Sequence, residues 1–131
     1  MIYFCIYVIS YDIWYYFIHR LLHTRYFYYI HKIHHKHIQP KYNDYYSIDI
    51  LEIPMQSIGL LVPIYFYKLH ILQFLLTIFF INIRGVMEHE EKMVFLVGDH
   101  HLIHHKIPKY NYGAYWLDYV FGTLYENRLI N

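Results

Sequence analysis

The chain has one cysteine, five glycines, four prolines and few charges, and each shortage removes a class of explanation. A lone Cys5 closes no internal disulfide and builds no CxxC or mixed Cys/His zinc module. It reads as a packed or lipid-facing apolar residue. With so few glycines there is no phosphate-cradling loop, and neither a GxSxG turn nor a haem attachment motif is present. Charged residues are 16% of the chain and the formal net charge is +1. Without a basic run set in a nucleic-acid fold, nucleic acid is excluded as a partner. The ExxH pairs of carboxylate di-iron bundles are missing, and His89-Glu90-Glu91-Lys92-Met93 is no zinc-protease HExxH because Met93 stands at the second histidine position. The opening MIYFCIYVISYDIWYYFIHR lacks a basic n-region and a small-residue cleavage site, so it reads as part of the working protein. No repeat of fixed period and no Gly/Ser linker divides the chain.

What the sequence does have is apolar bulk. Hydrophobic residues make up 57% and aromatic residues 22%, too apolar for a disordered chain and rich for a soluble one. Its 131 residues are about one domain, so 1–131 reads as a single unit. Three apolar segments stand out, at about residues 2–18, 48–67 and 69–83, the last two divided by Lys68 and His70. As helices they would be roughly 25, 30 and 23 Å long against a hydrocarbon core of ~30 Å, so the second alone spans it unaided. If the first enters from the lumen and the other two form a hairpin turning at Lys68, ten of the 11 lysines and arginines fall on one face. Eleven of the 12 histidines go with them. That asymmetry follows the positive-inside rule and places 19–47 and 84–131 together in the cytosol. The predicted fold is therefore all-α: an integral membrane helical bundle with a cytosolic histidine-rich helical cap. Asp12, Asp49 and Glu52 interrupt the apolar runs, which suits a soluble helical domain or acids facing a membrane bundle's interior, and the charge asymmetry favours the second. Many of the 18 tyrosines are expected in an aromatic belt at the headgroups.

Six of the 12 histidines lie between residues 19 and 40. Crowded imidazoles with an ordinary pKa near ~6.5 repel one another once protonated, and a metal ion holds such a set neutral. The clusters are His19-x-x-x-His23, His31-x-x-His34-His35 and His101-x-x-His104-His105, with His100 just before the last. On a helix, residues at i, i+3 and i+4 share a face, so each cluster is expected to aim two or three rings one way. Eight rings, four for each of two metal ions, is the natural division. The spacing leaves open which ring serves which ion, and neutral imidazole suits iron, zinc, copper and nickel alike. The rival reading, a solvated histidine-rich face or pH-sensing patch, gives no reason for the HxxHH spacing to occur twice.

Asp12-Ile-Trp-Tyr-Tyr-Phe-Ile-His19-Arg-Leu-Leu-His23, followed by Ile30-His-Lys-Ile-His-His35 and Pro40, resembles the first two histidine boxes of the fatty acid hydroxylase/sterol desaturase superfamily. His100-His-Leu-Ile-His-His105, Asn111-Tyr-Gly113 and Asp118-Tyr-Val-Phe-Gly-Thr123 are similar to its C-terminal signature. The resemblance spans nearly the whole chain. It implies an integral membrane enzyme of the endoplasmic reticulum type, with two non-haem iron ions on the cytosolic side and O2 as co-substrate. Such an enzyme hydroxylates or desaturates a C–H bond of a membrane lipid, either a sterol or a fatty acyl chain. Electrons would come from cytochrome b5 or a b5 reductase, a separate protein because no b5-like haem segment is found here. A second reading is a metal-binding membrane protein of the same family without turnover.

From the residues and the resemblance together, the expected ligands are His19, His23, His31, His34, His35, His101, His104 and His105. His89 and His100 are further candidates: His89 matches the family's isolated histidine by order, and His100 is alternatively a donor that fixes a ligand's tautomer. His37, just past the second box, and His70, at the lumenal turn, are expected to hold no metal. Asp12 and Tyr16 share a helical stripe with His19 and His23, at steps of four, three and four. A carboxylate there is expected to accept a hydrogen bond from the outer nitrogen of a ligand imidazole, the competing role being to anchor a helix end at the interface. Pro-Lys-Tyr-Asn recurs at Pro40–Asn43 and Pro108–Asn111, after each HxxHH cluster, and reads as a helix-ending turn.

Overall fold

The computed structural model describes residues 1–125, and every regular element among them is helical. Residues 126–131, the tail of the predicted 84–131 region, lie outside the described residues. In chain order the helices are α1 (Ile2–Leu22), α2 (Tyr28–His31), α3 (Glu52–Phe66), α4 (Ile71–Glu88), α5 (Val94–Val97), α6 (His100–Lys106) and α7 (Tyr115–Val120). Single 3-10 turns stand at His34–Lys36, Tyr42–Tyr46 and Glu91–Met93.

Three long helices make the frame. Trp14 bonds to Met55 and Tyr3 meets Tyr67, so α1 and α3 run antiparallel. Tyr7 packs on Phe74 and Asp12 pairs with Arg84, so α1 and α4 run parallel. A defect in α3 fixes the α1–α3 crossing. Pro63 has no N–H, which deprives the Gly59 carbonyl of its helical partner, and Ser10 Oγ donates to that carbonyl instead at 2.7 Å. A side chain on Gly59 would come within 2.5 Å of Trp14 Cβ, so glycine is what permits the approach.

This arrangement puts the C-terminal ends of α1 and α4 and the N-terminal end of α3 at one end of the bundle. At the other, the ring of His70 stacks on Tyr3 with centroids 3.7 Å apart, beside the turn that holds Lys68. The short elements gather over the first end.

Two boundaries depart from the sequence reading. The second apolar segment is helical only from Glu52, because the Asp49 carboxylate accepts from Leu51 N at 2.9 Å and its carbonyl accepts from Glu52 N at 3.0 Å, which makes 48–51 a turn. At 15 residues α3 is only ~22 Å long, short of the span expected of it. The third segment instead runs past Ile83 to Glu88, since Arg84 is paired with Asp12 and so does not end the helix. Among the described residues α4, with 18 residues and mean hydropathy 1.5, is the helix long and apolar enough to cross a membrane. Its outer face, with Leu72, Leu75 and Phe79, is exposed, as are Ile9 and Phe17 of α1, Leu61 and Phe66 of α3, and Cys5.

Candidate metal centre

Each long helix delivers one piece of the site. The last turn of α1 carries His19, His23 caps its C-terminus, the first residue of α3 is Glu52, and His89 caps the C-terminus of α4. His31 ends α2, His34 and His35 lie in the 3-10 turn after it, and α6 carries His101, His104 and His105. The C-terminal carbonyls of α1 and α4 face this end and make it favourable for positive charge.

The structure brings nine imidazoles into two groups, His19, His23, His31, His35 and His104 in one and His34, His89, His101 and His105 in the other, with nitrogens in each group all within 4.8 Å of one another. Every close contact is between Nε2 atoms. In the first group His19 meets His31 at 2.9 Å and His23 at 3.3 Å, and His104 meets His23 at 3.0 Å and His35 at 3.1 Å. In the second, His89 meets His34 at 3.0 Å, His101 at 3.2 Å and His105 at 3.3 Å. Both HxxHH boxes straddle the groups. His31 and His35 go to the first and His34 to the second, while His101 and His105 go to the second and His104 to the first. At about 100° per residue, i and i+4 are ~40° apart whereas i+3 and i+4 are ~100° apart, so one box serves two centres. Two rings of each cluster thus point one way, His19 with His23, His31 with His35 and His101 with His105, and the third ring of each HxxHH box points to the other group.

The outer nitrogens show what these contacts require. His19 Nδ1 donates to the Tyr112 carbonyl at 2.5 Å, His104 to Tyr110 at 2.6 Å, His89 to Gly85 at 2.7 Å and His105 to His37 at 3.1 Å. His31 Nδ1 donates to Glu52 Oε1 at 2.9 Å, a fully buried pair. An oxygen acceptor at Nδ1 fixes the proton there and leaves Nε2 of a neutral ring with a bare lone pair. Lone pairs facing one another at 2.9–3.3 Å repel unless a cation lies among them. Two nitrogens bonded at ~2.1 Å to one ion are ~3.0 Å apart at a right angle and ~3.4 Å apart at the tetrahedral angle, about the range of the contacts seen. The donor set fits two metal ions.

Burial keeps the rings neutral. It lowers the His23 pKa to about 4, and burial with the neighbouring His89 lowers that of His105 to about 3. His19, His34, His101 and His104 are driven down by burial first and adjacent imidazoles second. At pH 7.5 these groups are uncharged in both folded and unfolded chains. As the pH falls below ~6.5 the unfolded chain takes up protons that the folded one refuses, so stability drops with pH. Metal-free protein in detergent will therefore unfold at steadily lower temperature from pH 6.5 to pH 4, and a flat thermal midpoint over that window would contradict the burial of these rings.

Residues 4–123 match the fatty acid hydroxylase family. The chain belongs to that family. The Delta(7)-sterol-C5(6)-desaturase of Nicotiana tabacum is 32% identical over 136 residues, covering 95% of this chain and 50% of the relative. The chain thus spans about half the length of that curated relative. No solved structure matches it.

Within this fatty acid hydroxylase chain, three residues depart from the roles expected of them. His100 stands outside both groups, its Nε2 donating to Asp118 Oδ2 at 3.0 Å. Asp12 holds no imidazole: both its oxygens take the Arg84 guanidinium, because α4 runs beside α1 at that height and brings a cation first. Tyr16 stacks on Phe121 and its hydroxyl meets Thr123 Oγ1 at 2.8 Å. Glu52 takes the part foreseen for Asp12, and Gln56 Nε2 donates to its Oε1 at 2.7 Å. Its interruption of an apolar run was the available signal. His37 lies at the surface, 3.6 Å from Asp44, and contributes only its carbonyl.

Proposed function

We propose that this chain is a non-haem di-iron, O2-dependent oxidoreductase that hydroxylates or desaturates a C–H bond of a membrane lipid, sterol or fatty acyl. The observation that carries it is the pair of imidazole groups whose Nε2 atoms converge while five of the nine rings have Nδ1 fixed by a carbonyl or by Glu52. Iron bound there would supply reductive activation of O2 and hydrogen abstraction. Hydroxylation consumes one O2, two electrons and two protons and yields the alcohol and one water; desaturation consumes the same and yields the alkene and two waters. His19, His23, His31, His35 and His104 would hold one ion, and His34, His89, His101 and His105 the other. Glu52 orients His31 and raises the basicity of its Nε2. Buried, neutral rings keep water and protons away from the centre.

Family membership and the broad exposed apolar faces of α1, α3 and α4 support a place in the bilayer, since soluble monomers rarely expose contiguous apolar patches this large. By the charge asymmetry of the sequence, the histidine end faces the cytosol, in the endoplasmic reticulum, where cytochrome b5 or its reductase would supply electrons. The test is purification from membranes, with iron, zinc, O2 uptake under reductant and lipid products measured together. About two irons per chain and lipid-dependent uptake are expected. Zinc alone with no uptake after iron loading would replace this reading with that of a metal-binding membrane protein without turnover.

A further inference from the structure

Two cavities adjoin at the histidine end of the bundle, an inner one of about 60 Å³ and a larger outer one. The inner one is lined by His34, His89 and His101 of the four-imidazole group, together with Glu52. None of the five rings of the other group lines it. The outer one is a groove of about 390 Å³ between α3 and α4, with Ile53, Leu60, Leu61, Phe74 and Ile78 on its walls. Its size falls within the ~300–1,000 Å³ of small-molecule sites. Tyr11, Tyr45, Ile48, Gln56 and Ile81 line both. These five residues stand between the two, where a throat would have to run.

Particular contacts shape the boundary between them. The Tyr45 ring lies against Gly85, where a Cβ would come within 2.3 Å of its Cε2, so the glycine lets the ring close down on α4 beside His89. The Tyr45 hydroxyl reaches Asn82 Oδ1 at 3.4 Å, and Gln56 is held by Glu52 at 2.7 Å. A second apolar groove of about 450 Å³, between α1 and α3, is lined by Ile6, Ile9, Trp14, Val62 and Phe66. Though larger, it shares no lining residue with the histidine cavity.

We propose that the lipid enters through the α3–α4 groove, passes the throat at Tyr45, Gln56 and Ile81, and is presented to the four-histidine group. The proposal rests on the lipid-oxidase reading above and adds which groove and which group meet the substrate. Tyr45, Gln56, Ser57 and Asn82, set among apolar walls, would seat a lipid's polar group, and Ile81 would set the depth its chain reaches.

The test uses the whole metal-loaded chain in detergent with two probes, a diazirine-bearing palmitoyl lipid and a diazirine-bearing sterol. Photolabel is expected on peptides 53–61 and 74–82. Ser57→Trp fills the groove and lowers labelling and turnover at least about tenfold while iron per chain stays unchanged. Val62→Trp, in the other groove, alters neither. Label concentrated on residues 6–14 and 62–66, or loss of labelling in Val62→Trp with none in Ser57→Trp, would overturn the proposal. Should Ser57→Trp lose its metal, the label positions in the unsubstituted chain decide. Groove labelling without any oxidised product would reject the oxidase reading and leave the lipid groove standing, whereas oxidised product with label elsewhere would do the reverse.

Discussion

If the chain is the di-iron lipid oxidase proposed above, replacing His89 with alanine is expected to strip one of two ions and to lower lipid oxidation by more than a hundredfold. The smaller group has four nitrogens, and His89 Nε2 touches all the other three, at 3.0, 3.2 and 3.3 Å. It is also the ring that α4 contributes, held by its Nδ1 on the Gly85 carbonyl at 2.7 Å. Loss of a partner that merely orients a ligand typically lowers metal affinity or activity by ~10–100-fold, and loss of the ligand itself exceeds that. The remaining three rings would face one another across a gap that no fourth donor fills. Metal analysis is expected to fall from about two ions per chain to about one, while His100→Ala, which removes a ring outside both groups, keeps two. Two ions retained in His89→Ala would remove His89 from the centre.

The histidine boxes were legible because helical spacing is local: His19 and His23, or His101 and His105, advertise a shared face in five residues. The splitting of each HxxHH box was not, because it depends on where the second centre sits in space. His89 shows the same limit. As an isolated histidine after an apolar segment it was a candidate only through the family's order of histidines, and its contacts with His34 of the 3-10 turn and His101 of α6 are made in space alone. The carboxylates reverse roles for a related reason. Asp12 shares a stripe with His19, yet the nearest charge across the bundle is Arg84, whereas Glu52 is separated from His31 by 21 residues and meets it because α3 begins where α2 ends. The long apolar segments fixed a helical hairpin in the reading, but their ends moved by up to five residues where Asp49 made a turn and Asp12 neutralised Arg84.

Asp118→Ala is expected to lower the thermal midpoint by roughly 10–20 °C and to empty the five-histidine group before the other. Asp118 is fully buried and accepts from Tyr112 N at 2.8 Å, Gly113 N at 2.9 Å, Thr123 Oγ1 at 2.7 Å and His100 Nε2 at 3.0 Å. Thr123 is buried and Tyr112, Gly113 and His100 are half-buried; a buried donor left unpaired weakens the fold by ~1–3 kcal/mol, so the four losses together, about 3–4 kcal/mol, are a large part of the margin of a small domain. The loop it holds turns through Asn111 at φ 59°, and its carbonyls at Tyr110 and Tyr112 are the acceptors that aim His104 and His19. Releasing that loop frees two of the five rings in one group and no ring of the other. Asp118→Asn keeps one carbonyl oxygen for Tyr112 N and Thr123 Oγ1 but turns an NH2 toward Gly113 N and His100, so a loss of about half is expected. Differential scanning measurements with metal analysis of the three proteins give the comparison: an Asp118→Ala midpoint within 2 °C of the parent, or equal loss from both groups, would mean that the loop does not position the imidazoles.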